Sequence, residues 1–112
     1  MNIQIYGVKK CFDSQKAERY FKERKIKYQY TDLIRYGLSK RELESVRAAV
    51  GLNALMDCES KEYERLNLKY ISTTGIIEEL LLENPKLYKS PIIRNGRLAT
   101  VGFQPEVWKD WE

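Results

Sequence analysis

The chain has 112 residues, 43% of them hydrophobic, which predicts one compact α/β domain over residues 1–112. Its 20 basic and 16 acidic residues give a net charge of +4 and are interspersed, so we expect no direct contact with nucleic acid. Glu78 and Glu79 interrupt the longest apolar run, so we expect no membrane segment, and the amino-terminal residues lack a secretory pattern, so we expect no secretory signal.

The number and spacing of the cysteines indicate the cellular compartment and exclude some kinds of site. Two widely separated cysteines, Cys11 and Cys58, do not form a disulfide-rich framework, so we expect a reducing, cytoplasmic location. The sequence contains no histidine, which argues against a zinc site and against a Cys–His nucleophile pair. The glycines do not form a nucleotide-binding loop, so we expect no bound cofactor.

The first part of the chain has the pattern of a β-α-β unit. Alternating polar and apolar residues predict a strand over residues 2–6. A helix capped by Asp13 or Ser14 is predicted to end near Lys25. A second strand is predicted within residues 26–33, and a polar loop follows it.

Helices fill the middle of the chain. Ser39 and Glu42 have the spacing of a capping box and predict the start of a helix that Gly51 ends. A shorter helix is predicted around residues 63–66, and a third, capped by a threonine, over residues 76–83.

The last part of the chain predicts a hairpin and a helix. Asn95 and Gly96 stand between two short apolar runs, which is typical of a hairpin with a type I′ turn. Pro105 suits the first turn of a helix that Trp108 docks. The order β-α-β, helices, β-β-α predicts a mixed sheet flanked by helices, as in the thioredoxin-like fold.

Cys11 is the candidate catalytic residue because it follows the first predicted strand at the amino end of the first helix. Unpaired N–H groups and the helix dipole favour a thiolate there. Lys9 and Lys10 are predicted to add positive charge, while the carboxylate of Asp13 would oppose it if it turned toward the sulfur. A buried, inert cysteine is the alternative interpretation.

The motif around Cys11 has one thiol. Ser14 stands where a dithiol exchanger has its second cysteine, and a hydroxyl cannot resolve a mixed disulfide. We therefore expect Cys11 to attack a disulfide or oxidised substrate, and a second thiol, such as glutathione, to release it. Cys58 is the internal candidate for a resolving residue, although its neighbours Asp57 and Glu59 favour the protonated thiol, and a structural or surface cysteine is the preferred interpretation.

Four segments of the chain, in order, resemble the ArsC/Spx family: "IYGVKKCFDSQKA", "YGLSKRELESV", "KEYERLNL" and "SPIIRNGRLATVGFQPEV". That family comprises glutaredoxin-type arsenate reductases, Spx transcriptional regulators and the YffB group. The resemblance implies a thioredoxin-like, glutaredoxin-type fold with a helical insertion at about residues 39–84, and Cys11 as the active-site cysteine. It also implies that Pro91, preceded by Ser90, lies beside this cysteine before the third strand, where the family's proline is often cis.

The chain departs from the arsenate reductases of this family at their arginines. The resemblance places three oxyanion-holding arginines in the segment matching residues 57–60, directly before Pro91, and in the segment matching residues 102–105. This sequence has no arginine in these places and has acids in the first. Arginine suits oxyanions because its charged fork bonds them in pairs, so arsenate reduction is disfavoured. Three cations offer partial compensation: Lys89, Arg94 and Arg97.

The chain also departs from Spx regulators, which carry Cys-x-x-Cys and an arginine before the matching proline. Gly51 matches a glycine that Spx uses to contact RNA polymerase, although a glycine after a helix is more often a C-cap. The leading hypothesis is a thiol-dependent oxidoreductase that uses Cys11 and a reductant such as glutathione or a glutaredoxin-like protein. The alternative is an Spx-like binding module that contacts RNA polymerase without catalysis.

Overall fold

The computed structural model describes residues 1–111. The helices and strands occur in this order: β1 (Ile3–Gly7), α1 (Phe12–Glu23), β2 (Tyr28–Asp32), α2 (Leu33–Tyr36), α3 (Lys40–Val50), α4 (Leu52–Leu55), α5 (Lys61–Arg65), α6 (Thr74–Glu83), β3 (Ile92–Asn95), β4 (Leu98–Val101) and α7 (Pro105–Lys109). Two 3₁₀ turns, Leu68–Tyr70 and Pro85–Leu87, flank α6. Within the described residues, no helix combines the length and apolar character needed to cross a membrane.

The strands form one mixed sheet in the order β2-β1-β3-β4. β1 runs parallel to β2 and antiparallel to β3, and β3 forms a hairpin with β4. The parallel pair needs a crossover connection, which α1 supplies. This confirms the α/β, thioredoxin-like, mixed-sheet architecture that the order of predicted elements indicated.

The core is divided between the two faces of the sheet. Side chains alternate along a strand, so Ile3 and Ile5 point to one face while Tyr6 points to the other. On the first face, the strands pack with α1 and α7 around Phe21 and Trp108. The other face is covered by residues of α2, α3, α4 and α6. Helices therefore cover both faces of the sheet, so a site accessible to a substrate is expected in the loops at the ends of the strands.

Local structure differs from the sequence prediction in the second strand and after it. β2 begins at Tyr28, two residues later than the predicted start. A short helix, α2, replaces the predicted polar loop because the Asp32 side chain accepts hydrogen bonds from the N–H groups of Ile34 and Arg35, at 3.1 and 3.4 Å. Gly51 ends α3 with φ 85°, as predicted for a C-cap, and α4 follows it immediately.

The hairpin is present, but its turn lies one residue beyond the prediction. Asn95 pairs with Leu98, so Gly96 and Arg97 are the two central residues. Gly96 has φ 61°, and Arg97 does not adopt a positive φ. A positive φ at the first central residue alone is the requirement of a type II′ turn, so the predicted type I′ turn is wrong.

Candidate active site

Cys11 is the N-cap of α1. Its N–H donates to the Val8 carbonyl at 2.9 Å, and its own carbonyl accepts the first helical hydrogen bond, from Gln15, at 3.1 Å. The prediction that Asp13 or Ser14 caps the helix is therefore wrong, because the turn that follows β1 starts the helix at Phe12. The cysteine sulfur itself stands at the amino end of a 12-residue helix.

Ser14 is turned inward and organises the loop around Cys11. The residue is 1% exposed, and its hydroxyl accepts a hydrogen bond from the Val8 N–H at 3.1 Å. Gly7 lies close against it, since a Cβ on Gly7 would stand 3.1 Å from the Ser14 hydroxyl oxygen and 2.9 Å from the Tyr30 ring. The serine of the Cys-x-x-Ser motif thus fixes the loop that presents the cysteine.

The Cys11 thiol is half-buried and donates to the Ser90 carbonyl oxygen, with 3.8 Å between the sulfur and the oxygen. Burial raises the pKa of this thiol. Hydrogen bonding to the Ser90 and Ser14 side chains, and to the backbone groups of Ser14 and Asp13, outweighs burial, so the pKa of Cys11 lies below its ordinary value. The thiol is not the fully buried cysteine of the alternative interpretation.

The lysines beside Cys11 are not the principal cause of this shift. Lys9 and Lys10 are exposed in the turn that precedes the cysteine, where water screens their charges. The groups that lower the pKa of Cys11 are serines and backbone amides, including the backbone of Asp13. The sequence prediction named the N–H groups at the helix amino end, which are among these causes, but it did not identify the serine side chains and expected an added effect from the two lysines.

Ser90 and Pro91 lie where the family resemblance places them. The Ser90–Pro91 peptide bond is cis, and the Ser90 carbonyl oxygen accepts the hydrogen bond of the Cys11 thiol. Pro91 is buried, and its carbonyl accepts a hydrogen bond from the Gly102 N–H at 2.8 Å, so the start of β3 is fixed against the end of β4.

A cleft of about 700 Å³ opens beside Cys11. Its walls come from the start of α1, the region around α4, the residues before β3, strand β4 and the start of α7. The residues that line it are Cys11, Asp13, Val50, Ala54, Asp57, Lys89, Ser90, Ala99, Thr100, Val101, Gly102, Gln104 and Val107.

All three segments in which the resemblance places an arginine reach this cleft. They contribute Asp57, Ser90, and the pair Gly102 and Gln104. Within the described part of the chain, none of the residues that line the cleft is an arginine, and the first segment contributes a carboxylate. The three positions at which the sequence lacks an arginine therefore meet in one cleft, directly beside the Cys11 thiol.

The candidate compensating cations divide between the cleft and other regions. Lys89 lines the cleft. Arg94 instead packs under α3, where its guanidinium donates to the Gln4 side chain at 3.0 Å and to the Tyr6 hydroxyl at 3.1 Å. Arg97 is a central residue of the hairpin turn. Of the three cations that the sequence offered in place of the missing arginines, only Lys89 lines the cleft.

Asp57 reaches the cleft through a pairing that sequence analysis missed. Met56 and Tyr88 form an isolated antiparallel bridge. On its two sides, the Asp57 N–H donates to the Leu87 carbonyl and the Lys89 N–H donates to the Leu55 carbonyl, both at 2.8 Å. The paired segments are far apart in sequence, so no local pattern predicts this backbone clip. The sequence identified Asp57 as a neighbour of Cys58 and as an acid in the first segment where the resemblance places an arginine, without showing how it is held.

Cys58 lies in a different place from Cys11. It is exposed and lines a second cavity of about 530 Å³, together with Tyr63 and Tyr70. Both cysteines are free thiols. This geometry does not bring Cys58 into the Cys11 cleft, and its role as a resolving residue stays a prediction. Among residues 1–111, no cluster of three His, Cys, Asp or Glu side chains could hold a metal ion.

The fold, the cis proline and the position of Cys11 agree with the family that the sequence resembles. The model of the ArsC family matches residues 6–111. This chain belongs to the ArsC family. The global transcriptional regulator Spx 2 of Oceanobacillus iheyensis is 31% identical to this ArsC-family chain over 109 residues, which cover 95% of this chain and 80% of that protein.

Solved structures similar to this ArsC-family chain span nearly its whole length. An ArsC family related protein from Bacteroides fragilis has a TM-score of 0.85 and 25% identity, covering 100% of this chain and 98% of the other. An arsenate reductase from Vibrio cholerae has a TM-score of 0.83 and 26% identity, covering 98% and 97%. The ArsC/Spx resemblance is thereby confirmed, and the family includes both a regulator and a reductase.

Proposed function

We propose that Cys11 is the single redox-active nucleophile of a thiol–disulfide oxidoreductase. The observation that carries this proposal is a half-buried thiol with a lowered pKa that opens on a cleft at the amino end of α1. A thiolate, and not a thiol, is the attacking species in disulfide exchange, so a lowered pKa increases the reactive fraction at neutral pH.

The chemistry consists of two exchanges. The Cys11 thiolate attacks one sulfur of a substrate disulfide; a new S–S bond forms as the old one breaks, and the departing thiolate takes a proton from water. A second thiol then attacks the mixed disulfide, which restores the Cys11 thiolate and carries the substrate sulfur away as a new disulfide. Glutathione or a glutaredoxin-like protein would supply this second thiol in a reducing cytoplasm. Ser14 cannot, because it carries a hydroxyl and not a thiol, and that hydroxyl is buried and accepts the Val8 N–H.

Arsenate is not the proposed substrate. Recognition of an oxyanion needs several cationic donors, and the cleft offers Lys89 against the carboxylates of Asp13 and Asp57. The Cys11 thiolate would add a further negative charge. This arrangement repels a multiply charged anion and favours a disulfide substrate.

The test follows the mixed disulfide at Cys11 by mass spectrometry. A Cys58→Ser background removes the exposed second thiol, and bis(2-hydroxyethyl) disulfide serves as an uncharged substrate. We expect one adduct at Cys11 that reduced glutathione removes, no adduct in Cys11→Ser/Cys58→Ser, and no arsenite from arsenate plus glutathione. A Cys11 that stays unmodified would overturn the proposal, and arsenite production would overturn the assignment of substrate.

An Spx-like regulatory module is the second candidate, supported by the similarity to Spx 2. Gly51, the residue matched to the RNA polymerase contact, is exposed between α3 and α4. Among the described residues other than Gly51 and its two chain neighbours, no atom lies within 4 Å of where its Cβ would stand. Its φ of 85° is by itself sufficient reason for a glycine. Capture of RNA polymerase subunits by both the wild-type chain and Cys11→Ser would support this candidate, and no capture by either would remove it.

A further inference from the structure

We propose that the Cys11 cleft selects disulfides in which the substrate cysteine lies next to a basic residue of a peptide segment. This inference rests on the proposed function and names its substrate class. It is carried by the charges that line the cleft, by the way Asp57 is held there, and by the apolar side chains at its rim.

The charged residues that line the cleft are two acids and one base: Asp13, Asp57 and Lys89. The polar residues around them, which include Ser90, Thr100 and Gln104, are neutral. The cleft is therefore locally acidic, and the Cys11 thiolate adds to this charge, although the whole chain carries +4. Lys9 and Lys10, the basic residues next to Cys11 in the sequence, are not among the described residues that line the cleft. Charge complementarity at such a site favours a cationic partner and disfavours an anionic one.

The side chains of Asp57 and Lys89 differ in how firmly the structure holds them at the cleft. The backbone clip holds both residues at the cleft, but the Asp57 carboxylate also accepts a hydrogen bond from the Glu59 N–H at 3.1 Å and is half-buried. Lys89 is exposed, so its long side chain is free to extend into water. The negative charge is therefore held in place beside the substrate path, while the positive charge is not.

The rim of the cleft favours a peptide over a small disulfide. Val107 in the cleft wall is 40% exposed, and Phe12, which follows Cys11 in the sequence and is not among the residues that line the cleft, is 76% exposed. Small apolar side chains line the remaining wall at Val50, Ala54, Ala99 and Val101. Apolar side chains exposed around a reactive group mark a surface that a partner covers, and a two-carbon disulfide is too small to do so.

The test uses three peptides that differ only in the residues flanking a single cysteine: lysine, glutamine or glutamate. Each is prepared as a 2-pyridyl disulfide. Attack by Cys11 forms the Cys11–peptide disulfide and expels pyridine-2-thione, whose absorbance gives the rate. The protein is the full chain with Cys58→Ser, and each rate is divided by the rate of the same peptide with 2-mercaptoethanol to remove intrinsic reactivity.

We expect the lysine peptide to react about fivefold faster than the glutamate peptide at low salt, and the ratio to fall in high salt. Asp57→Asn, which keeps an acceptor for the Glu59 N–H, should lower the ratio about threefold. Asp110→Asn, which removes an exposed carboxylate that does not line the cleft, should leave the ratio unchanged.

The outcomes separate this inference from the function on which it rests. Equal rates for the three peptides would overturn the charge selection and leave the oxidoreductase intact. The 2-pyridyl disulfide of cysteamine, a small cation with no peptide, reacting as fast as the lysine peptide after the same normalisation would overturn the peptide part. No thione release from any peptide, with no Cys11 adduct from the uncharged disulfide, would overturn the proposed function itself.

Discussion

The hydroxyl of Ser14 accepts a hydrogen bond from the backbone N–H of Val8 at 3.1 Å. This contact closes the loop between β1 and α1, and the same side chain contributes to the lowered pKa of Cys11. The residue that removes a second thiol from the motif therefore supports the remaining one. One buried hydroxyl therefore contributes both to the loop geometry and to the ionisation of the thiol.

Ser14→Ala should raise the pKa of Cys11, because one of the groups that stabilise the thiolate is lost. The rise is partial, since the backbone groups of Ser14 and Asp13 remain. The variant should also lose about 1–3 kcal/mol of unfolding free energy, because the Val8 N–H loses its partner. Alkylation rate against pH and urea unfolding measure the two effects. Ser72→Ala, at an exposed serine, is the control, and a Ser14→Ala profile equal to that of the control would contradict this role.

Gly7→Ala should destabilise the fold by about 1–3 kcal/mol, because the new methyl group would press on the Tyr30 ring and the Ser14 hydroxyl. The displaced serine should also raise the pKa of Cys11. Gly75→Ala in α6 is the matched control. Apart from its chain neighbours and the backbone of its own helix, no described residue has an atom within 4 Å of its Cβ position, and alanine should stabilise that helix by up to about 1 kcal/mol. Equal effects of the two substitutions in urea unfolding would contradict the packing argument.

Thr100→Val should destabilise the docking of α7. The Thr100 hydroxyl, buried beside the cleft, accepts the hydrogen bond of the Trp108 indole N–H at 2.8 Å. Valine keeps the shape but leaves that donor unpaired, at a cost of about 1–3 kcal/mol. Thr100→Ser keeps the acceptor and loses one methyl group, so it should unfold at a higher urea concentration than Thr100→Val. The reverse order would show that the methyl group, and not the hydrogen bond, is the important contact.

The parts of the fold that depend on local pattern were predictable from the sequence. Alternation marked β1, and Ser39 with Glu42 marked the start of α3, where the structure shows both hydrogen bonds of the capping box. The position of Cys11 at the amino end of α1 followed from the order of these elements. The exact cap did not, because the hydrogen bond from Cys11 to Val8 starts the helix earlier than side-chain preferences suggest.

The composition of the cleft was not predictable from local pattern. Asp57 and Lys89 reach it through the bridge between Met56 and Tyr88, a pairing between segments about thirty residues apart that carries no periodic signal. The family resemblance located the three segments that converge on the cleft, but not the fact that Arg94 is engaged elsewhere. Its guanidinium bonds Gln4 and Tyr6 on the opposite side of β1 from Ile3 and Ile5, which only the folded sheet determines.

The lowered pKa of Cys11 also predicts a pH dependence of stability. Since the thiol ionises more easily in the folded state, the added stability is fully present above the unfolded pKa, and it is lost as the pH falls through the folded pKa. The difference in unfolding free energy between Cys58→Ser and Cys11→Ser/Cys58→Ser should therefore grow as the pH rises toward about 8.5. Urea unfolding in a phosphine reductant measures it, and a difference that is constant with pH would contradict the pKa assignment.

The most direct test of this account is the ionisation of Cys11 itself, measured as the rate of alkylation by iodoacetamide against pH in the Cys58→Ser chain. We predict an inflection below the ordinary cysteine value of about 8.5. An inflection at or above that value would show that the hydrogen bonds at the amino end of α1 do not activate the sulfur, and it would contradict the proposal that Cys11 is a redox nucleophile.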